Sequence, residues 1–229
     1  MNTILLYSYF VFGGSGKSID QGTGFFVEKK GQLYLTTVSH NFHTDKTSKI
    51  KKYSFFYLRL FNSKDNKPEL IKIENNPIKF EENIDLSFYK VDVSTKYLVN
   101  IIDIEETKSL KPEKIICYGY ATVEGDEDNA QKYVDNIQAT EFSGYIYLDY
   151  NKPITYLETK EKDYDNYVVK YISNTLGRGT SGSPVFFVKE NEQGEIKYQF
   201  AGVIHTRNEE TKVAAILRPE KVIEHYKRL

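Results

Sequence analysis

The sequence predicts an all-β fold in two halves, barrels or sandwiches, closed by a short C-terminal helix. Three observations carry this. The chain of 229 residues holds 19 Tyr and 14 Phe together with many Ile and Val, side chains that suit pleated, half-buried surfaces. Short apolar runs recur with turn signals between them, the spacing of barrels or sandwiches. A polar stretch from Ile101 to Pro112 has no period of two and ends in Lys-Pro, the composition of a connection between two halves. The halves are accordingly drawn as 1–105 and 106–229.

In chain order, the first series comprises Ile4 to Phe12, Thr23 to Glu28, Leu33 to Val38, Tyr53 to Phe61, Leu86 to Val91 and Lys114 to Tyr120. The second comprises Ala139 to Tyr150, Tyr167 to Ile172, Pro184 to Val188, Tyr198 to His205 and Val213 to Leu217. Glu124 to Asp128 reads as an acidic loop. Pro219 then opens Glu220 to Leu229, where Val222, Ile223 and Tyr226 share one helical face and His225 reads as solvated. There is no internal repeat and no low-complexity tract.

Composition narrows the function. A chain of this size can bury most of its apolar surface without covalent or metal staples. Its 31 basic and 32 acidic residues nearly cancel, so no global field draws it to nucleic acid or to an anionic membrane. A single cysteine, Cys117, allows no intrachain disulfide and no zinc cluster, and suits a reducing, cytoplasmic setting. Within the apolar Ile115 to Tyr118 it reads as an inert buried thiol. The apolar run from Ile4 ends in Gly13-Gly14-Ser15-Gly16 and so imitates a signal sequence. No Lys or Arg precedes it, it is too short to span a bilayer, and its Tyr and Phe suit a strand. No membrane role is expected.

The strongest local signal is Gly177-Arg178-Gly179-Thr180-Ser181-Gly182-Ser183-Pro184, a loop of small residues running into Val185-Phe186-Phe187. Glycines at 179 and 182 tolerate positive φ, which lets successive backbone N–H groups converge beside the Ser181 hydroxyl. A serine needs a neighbouring base to become nucleophilic, and the base needs a carboxylate behind it. Of the four histidines, His40 ends the strand Tyr34 to His40, where an imidazole emerges into a cleft, and His43 follows in a polar loop. Asp85 lies at the mouth of the apolar strand Leu86 to Val91, with Glu82 and Asp103 as other carboxylates in the same half. His40, Asp85 and Ser181 form the consistent set. His43 as base and Glu82 or Asp103 as carboxylate remain open on the residues alone.

Four separated segments, in order, resemble the trypsin-like (chymotrypsin-fold) serine peptidases. Gly22-Thr23-Gly24-Phe25-Phe26-Val27 resembles the family's Gly-x-Gly-Phe strand, and Thr37-Val38-Ser39-His40 its Thr-Ala-Ala-His segment. Asn83-Ile84-Asp85-Leu86 is similar to the segment around the family aspartate, and Gly179-Thr180-Ser181-Gly182-Ser183-Pro184 to Gly-Asp-Ser-Gly-Gly-Pro. The resemblance implies a chymotrypsin-like double barrel and a peptidase with Ser181 as nucleophile, His40 as base and Asp85 as its orienting partner. It also implies an oxyanion hole from the backbone N–H groups of Gly179 and Ser181. No cofactor or metal is called for.

Two departures bear on control and specificity. Thr180 stands where secreted trypsins carry the Asp that pairs with a newly cut N-terminus, so the expectation is a site formed constitutively or gated by a regulatory partner protein. Ser183 is closer to bacterial glutamyl-endopeptidase-like members with Gly-x-Ser-Gly-Ser-Pro. By that resemblance His205, in Ala201-Gly202-Val203-Ile204-His205-Thr206-Arg207, binds an acidic substrate side chain, helped by Arg207 and Thr175. This chain carries one residue more between Gly202 and His205 than the subfamily's Gly-Ile-His. The functional expectation is an endopeptidase acting on protein or peptide substrates. A catalytically silent or partner-gated peptide-binding relative is the alternative. An esterase would bring a Gly-x-Ser-x-Gly elbow in an α/β pattern, which is absent.

Overall fold

The computed structural model describes residues 8–15, 18–44, 49–79, 84–104, 115–121, 138–142, 167–171, 179–190, 193–208 and 213–229. Its strands form two six-stranded sheets. The first contains β1 (Tyr9–Ser15), β2 (Ser18–Lys29), β3 (Gln32–Thr37), β4 (Phe55–Phe61), β5 (Pro68–Glu74) and β6 (Ser87–Lys90), in the order β5-β4-β1-β2-β3-β6. The second contains β7 (Ile115–Ala121), β8 (Gln138–Phe142), β9 (Tyr167–Tyr171), β10 (Pro184–Glu190), β11 (Ile196–Asn208) and β12 (Val213–Leu217), in the order β8-β7-β10-β11-β12-β9. All named pairings are antiparallel. One helix, α1 (Pro219–Lys227), follows β12. This is the chymotrypsin-like double-barrel architecture that the motif resemblance implies.

Alternation explains the strands. In β4 every second residue is buried, and Phe56, Leu58 and Leu60 are fully so, the period a one-sided strand requires. They join Val11, Phe26, Leu35, Phe42 and Tyr89 in the core of the first sheet. Phe42 and Phe56 stack with centroids 4.2 Å apart, which fixes the turn two residues beyond His40. The strand β5 was not anticipated. It is an edge strand whose residues are mostly exposed or half-buried, with Pro68 at its start, where no ladder donor is missed, so it has no apolar run to announce it. The first hairpin is longer than expected. Gly13 and Gly14 pair with Asp20 and Ile19, so glycines beyond the expected strand end at Phe12 lie within the ladder.

A second core draws on both sheets. Phe25, Val27, Val38, Ile84, Leu86 and Phe88 pack in one cluster with Phe186, Phe200, Val203, Leu217, Val222 and Tyr226. Ile102 and Ile104, at the start of the expected connection, belong to the same cluster. The Ile102 N–H donates to the Phe26 carbonyl at 2.8 Å. Residues 105–114 and the acidic loop lie outside the described residues, as do 143–150 of the run expected from Ala139. The helix α1 begins with Pro219 at its first turn, buries Val222 and Tyr226, and is tied back to the first half. The Tyr226 hydroxyl donates to the Glu28 carbonyl at 2.6 Å and Lys29 Nζ to the Tyr226 carbonyl at 2.9 Å. His225 is buried, with Nδ1 2.9 Å from the Lys221 carbonyl, against the solvated position expected of it. It lies on the flank of the face that α1 turns inward.

Candidate active site

His40 sits in a single 3-10 turn, Ser39–Asn41, that ends β3. Its backbone N–H donates to Asp85 Oδ1 at 2.9 Å and its Nδ1 lies 2.6 Å from Asp85 Oδ2. Asp85 precedes β6, which pairs with β3, so adjacent strand ends bring carboxylate and imidazole together. The His40 side chain is 39% exposed and Asp85 is completely buried, so the imidazole reaches solvent while its carboxylate partner is shielded behind it. His43 is buried with Nδ1 3.2 Å from the Ser39 carbonyl, and Asp103 is exposed. Neither competes with His40 and Asp85, and Glu82 lies outside the described residues.

A third group completes the surroundings of Asp85. His205 Nε2 lies 2.5 Å from the same Oδ2, and the rings of His40 and His205 meet edge to face with centroids 5.5 Å apart. Burial by itself pushes the Asp85 carboxyl up. The charge and hydrogen bonds of the two imidazoles outweigh it and hold the group well below the usual carboxylate range. An ionised carboxylate only accepts, so His40 Nδ1 and His205 Nε2 both donate. That tautomer leaves His40 Nε2 as the nitrogen with the lone pair. Two imidazoles and a carboxylate are also a zinc donor set. Ligands on one tetrahedral zinc, at about 2.1 Å each, stand about 3.4 Å apart. The separations here are those of shared protons.

His205 reaches Asp85 because β11 is bulged. In the pairing of β11 with β12, Ile204 faces Ile216 and Thr206 faces Ala215, so His205 is the additional residue, and bulges re-aim side chains. His205 is the residue expected to bind an acidic substrate group. It is only 5% exposed and its Nε2 is turned to Asp85. The additional residue between Gly202 and His205 was the signal in the sequence. Arg207 lies in β11, outside the residues whose side chains are described, and Thr175 lies outside the described residues altogether.

The Ser181 loop is pinned from both sheets. The Ser181 carbonyl accepts from the Thr23 N–H at 2.9 Å and from Asn41 Nδ2 at 3.1 Å. The Gly179 carbonyl accepts from Thr23 Oγ1 at 2.9 Å. From the second sheet, the Gly182 N–H donates to the Ile204 carbonyl at 2.8 Å and the Ile204 N–H to the Ser183 carbonyl at 2.9 Å. Ser183 Oγ donates to the Thr180 carbonyl at 2.6 Å. As expected, Gly179 and Gly182 take φ of 92° and 90°. A Cβ on Gly182 would fall 2.0 Å from the Thr23 carbonyl oxygen and 2.4 Å from Thr37 Oγ1.

Sequence reasoning passed over Thr23 and Asn41, the anchors of this loop. Thr23 stands between the two glycines of the first motif and Asn41 directly follows His40. Gly22 has a role in placing it, since a Cβ there would lie 2.0 Å from Asn41 Nδ2. Neighbouring residues thus form a closed ring. His40 is followed by Asn41, which holds Ser181. Gly182 is held by Ile204, which precedes His205, and His205 holds Asp85, the partner of His40.

The family described as trypsin-like peptidase domain matches residues 22–195. No curated protein matches the chain. Among solved structures, it is similar to a thermostable serine protease, AL20, from an extremophilic microorganism, with a TM-score of 0.58 at 12% identity over 97% of each chain. The MamO protease domain from Magnetospirillum magneticum gives a TM-score of 0.57 at 14% identity, over 98% of this chain and 97% of that one. A serine endoprotease from Yersinia pestis gives 0.56 at 14% identity, with 98% of this chain spanning 63% of that one. At these identities the likeness is one of fold.

Proposed function

The chain belongs to the trypsin-like peptidase family, and we propose that it hydrolyses peptide bonds of protein substrates with Ser181 as nucleophile, His40 as general base and Asp85 as the group that orients His40. The observation that carries this reading is the two-point hold of His40 on Asp85, at 2.6 and 2.9 Å, with the Ser181 carbonyl held by Asn41, the residue after His40.

In this mechanism Ser181 Oγ attacks the substrate carbonyl while His40 Nε2 takes its proton. Ionised Asp85 stabilises the imidazolium that forms. The positive φ at Gly179 and Gly182 supports the reading that the N–H groups of Gly179 and Ser181 receive the developing oxyanion. His40 then returns the proton to the leaving amine, and water, deprotonated by the same imidazole, releases the acyl group from Ser181. Cleavage after acidic side chains loses its main support with His205 turned to Asp85. Cys117 is buried and its thiol is pushed up to about 12 by that burial, which keeps it out of the chemistry and suits a reducing, cytoplasmic compartment. Among the described residues no helix is long and apolar enough to cross a membrane.

The test is to incubate wild type and Ser181→Ala with a denatured protein mixture and to identify new N-termini by mass spectrometry. Wild type generates them, with a shared residue preference before the cut, and the variant does not. Equal profiles from both would leave the alternative, a peptide-binding relative without catalysis.

A further inference from the structure

We infer that Ser183 is a positioning residue, whose hydroxyl aims the Ser181 N–H at the oxyanion by holding the Thr180 carbonyl. The inference rests on the peptidase reading and deepens it. Thr180 to Ser183 form a four-residue turn. The Ser183 N–H donates to the Thr180 carbonyl at 3.0 Å, and Gly182, third in the turn, has the φ of 90° that a type II turn demands there. Ser183 Oγ adds a second donor to the same carbonyl at 2.6 Å, and both residues are buried. A carbonyl oxygen can accept two bonds, and here one residue supplies two. The peptide unit between Thr180 and Ser181 is planar and trans, so its carbonyl and the Ser181 N–H share a plane and point in opposite directions. Fixing that carbonyl inside the protein therefore fixes where the Ser181 N–H points.

The surroundings keep the hydroxyl in place. Gly119, in β7, stands against it, since a Cβ there would fall 2.0 Å from Ser183 Oγ and 3.2 Å from Thr23 Oγ1. Thr23 Oγ1 in turn donates to the Gly179 carbonyl at 2.9 Å. Two hydroxyls thus hold the carbonyls of the two successive peptide units ahead of the nucleophile, and the missing side chain of Gly119 makes room for both. A glycine in place of Ser183, as in Gly-Asp-Ser-Gly-Gly-Pro, would leave the Thr180 carbonyl with the turn bond alone. With Thr180 in place of the Asp of that motif, the loop takes its order from neutral hydroxyls and not from an ion pair at this position. An oxyanion donor acts on charge that exists only in the transition state, so misdirecting it lowers kcat and leaves KM unchanged.

The experiment compares wild type, Ser183→Ala and Gly119→Ala on a peptide that wild type cleaves, with kcat and KM measured separately and the rate of fluorophosphonate labelling alongside. Ser183→Ala lowers kcat and the labelling rate about tenfold and leaves KM within about twofold, a smaller loss than deletion of a donor because the turn bond remains. Gly119→Ala, which displaces the same hydroxyl from the β7 side, gives the same pattern, and the double variant loses little more than either single one. A folded Ser183→Ala protein with the wild-type kcat and labelling rate, or one that loses only in KM, overturns the inference and leaves the peptidase reading intact. Failure of wild type itself to cleave or label strikes at the peptidase reading instead. In that case, or if the variants do not fold, NMR of the wild-type protein decides the inference. It requires a Ser183 hydroxyl proton protected from exchange with water and coupled through its hydrogen bond to the Thr180 carbonyl carbon, and a freely exchanging hydroxyl overturns it.

Discussion

Asp85 is the buried carboxylate of the candidate site, and its ionisation has a consequence for stability. A fully buried carboxyl would normally resist charging, but two imidazoles and a backbone N–H hold it ionised. Its folded-state pKa is depressed, so its contribution is fully present above the unfolded value of about 4 and is lost as pH falls from there toward the folded pKa. Urea unfolding should show wild type losing stability below about pH 4 more steeply than Asp85→Asn. The variant should be less stable by about 3 kcal/mol at neutral pH, the cost of breaking a buried pair. Glu69 is also held low, at about 2, by hydrogen bonds from Lys96, Tyr97 and Asn62. It is on the surface, so raising the salt concentration should suppress its share and leave that of Asp85. Equal acid sensitivity of the two proteins at high salt would remove Asp85 as a charged partner.

Among the elements, the Ser181 loop and the bulged strand β11 decide the site. Replacing Gly182 by Ala places a methyl group against the Thr23 carbonyl and Thr37 Oγ1 at a φ of 90°. The substitution should lower stability by about 2 to 3 kcal/mol and slow labelling of Ser181 at least tenfold. Wild-type stability and labelling in that variant would mean that the loop is not seated on β2. Much at this scale was legible in the sequence. Glycine spacing announced the loop and its positive φ, and apolar runs announced most strands. The edge strand β5 was not legible because its exposed alternation resembles a polar loop. The His205 bulge was signalled only by one additional residue after Gly202, whose place is resolved by the ladder it interrupts. Asn41 and Thr23 act by hydrogen bonds across 140 and 156 residues, which no local pattern encodes.

At the scale of the molecule, the site exists because two sheets share a core. His40 and Asp85 belong to the first sheet's strand ends, Ser181 and His205 to the second, and Phe25 packs on Phe200 with centroids 5.7 Å apart between them. The helix α1 adds Tyr226 to that core while bonding to Glu28. The two-half organisation could be read from the series of strands, but not the fusion of their cores, since burial across an interface has no period along the chain. If this assembly activates one serine, intact-mass analysis after brief exposure to a fluorophosphonate probe should reveal it, on wild type, Ser181→Ala and His40→Ala. The expected result is a single adduct on wild type, none on Ser181→Ala and slowing by at least about 1,000-fold on His40→Ala. A folded wild-type protein that takes up no label, or that labels equally well without His40, would contradict it.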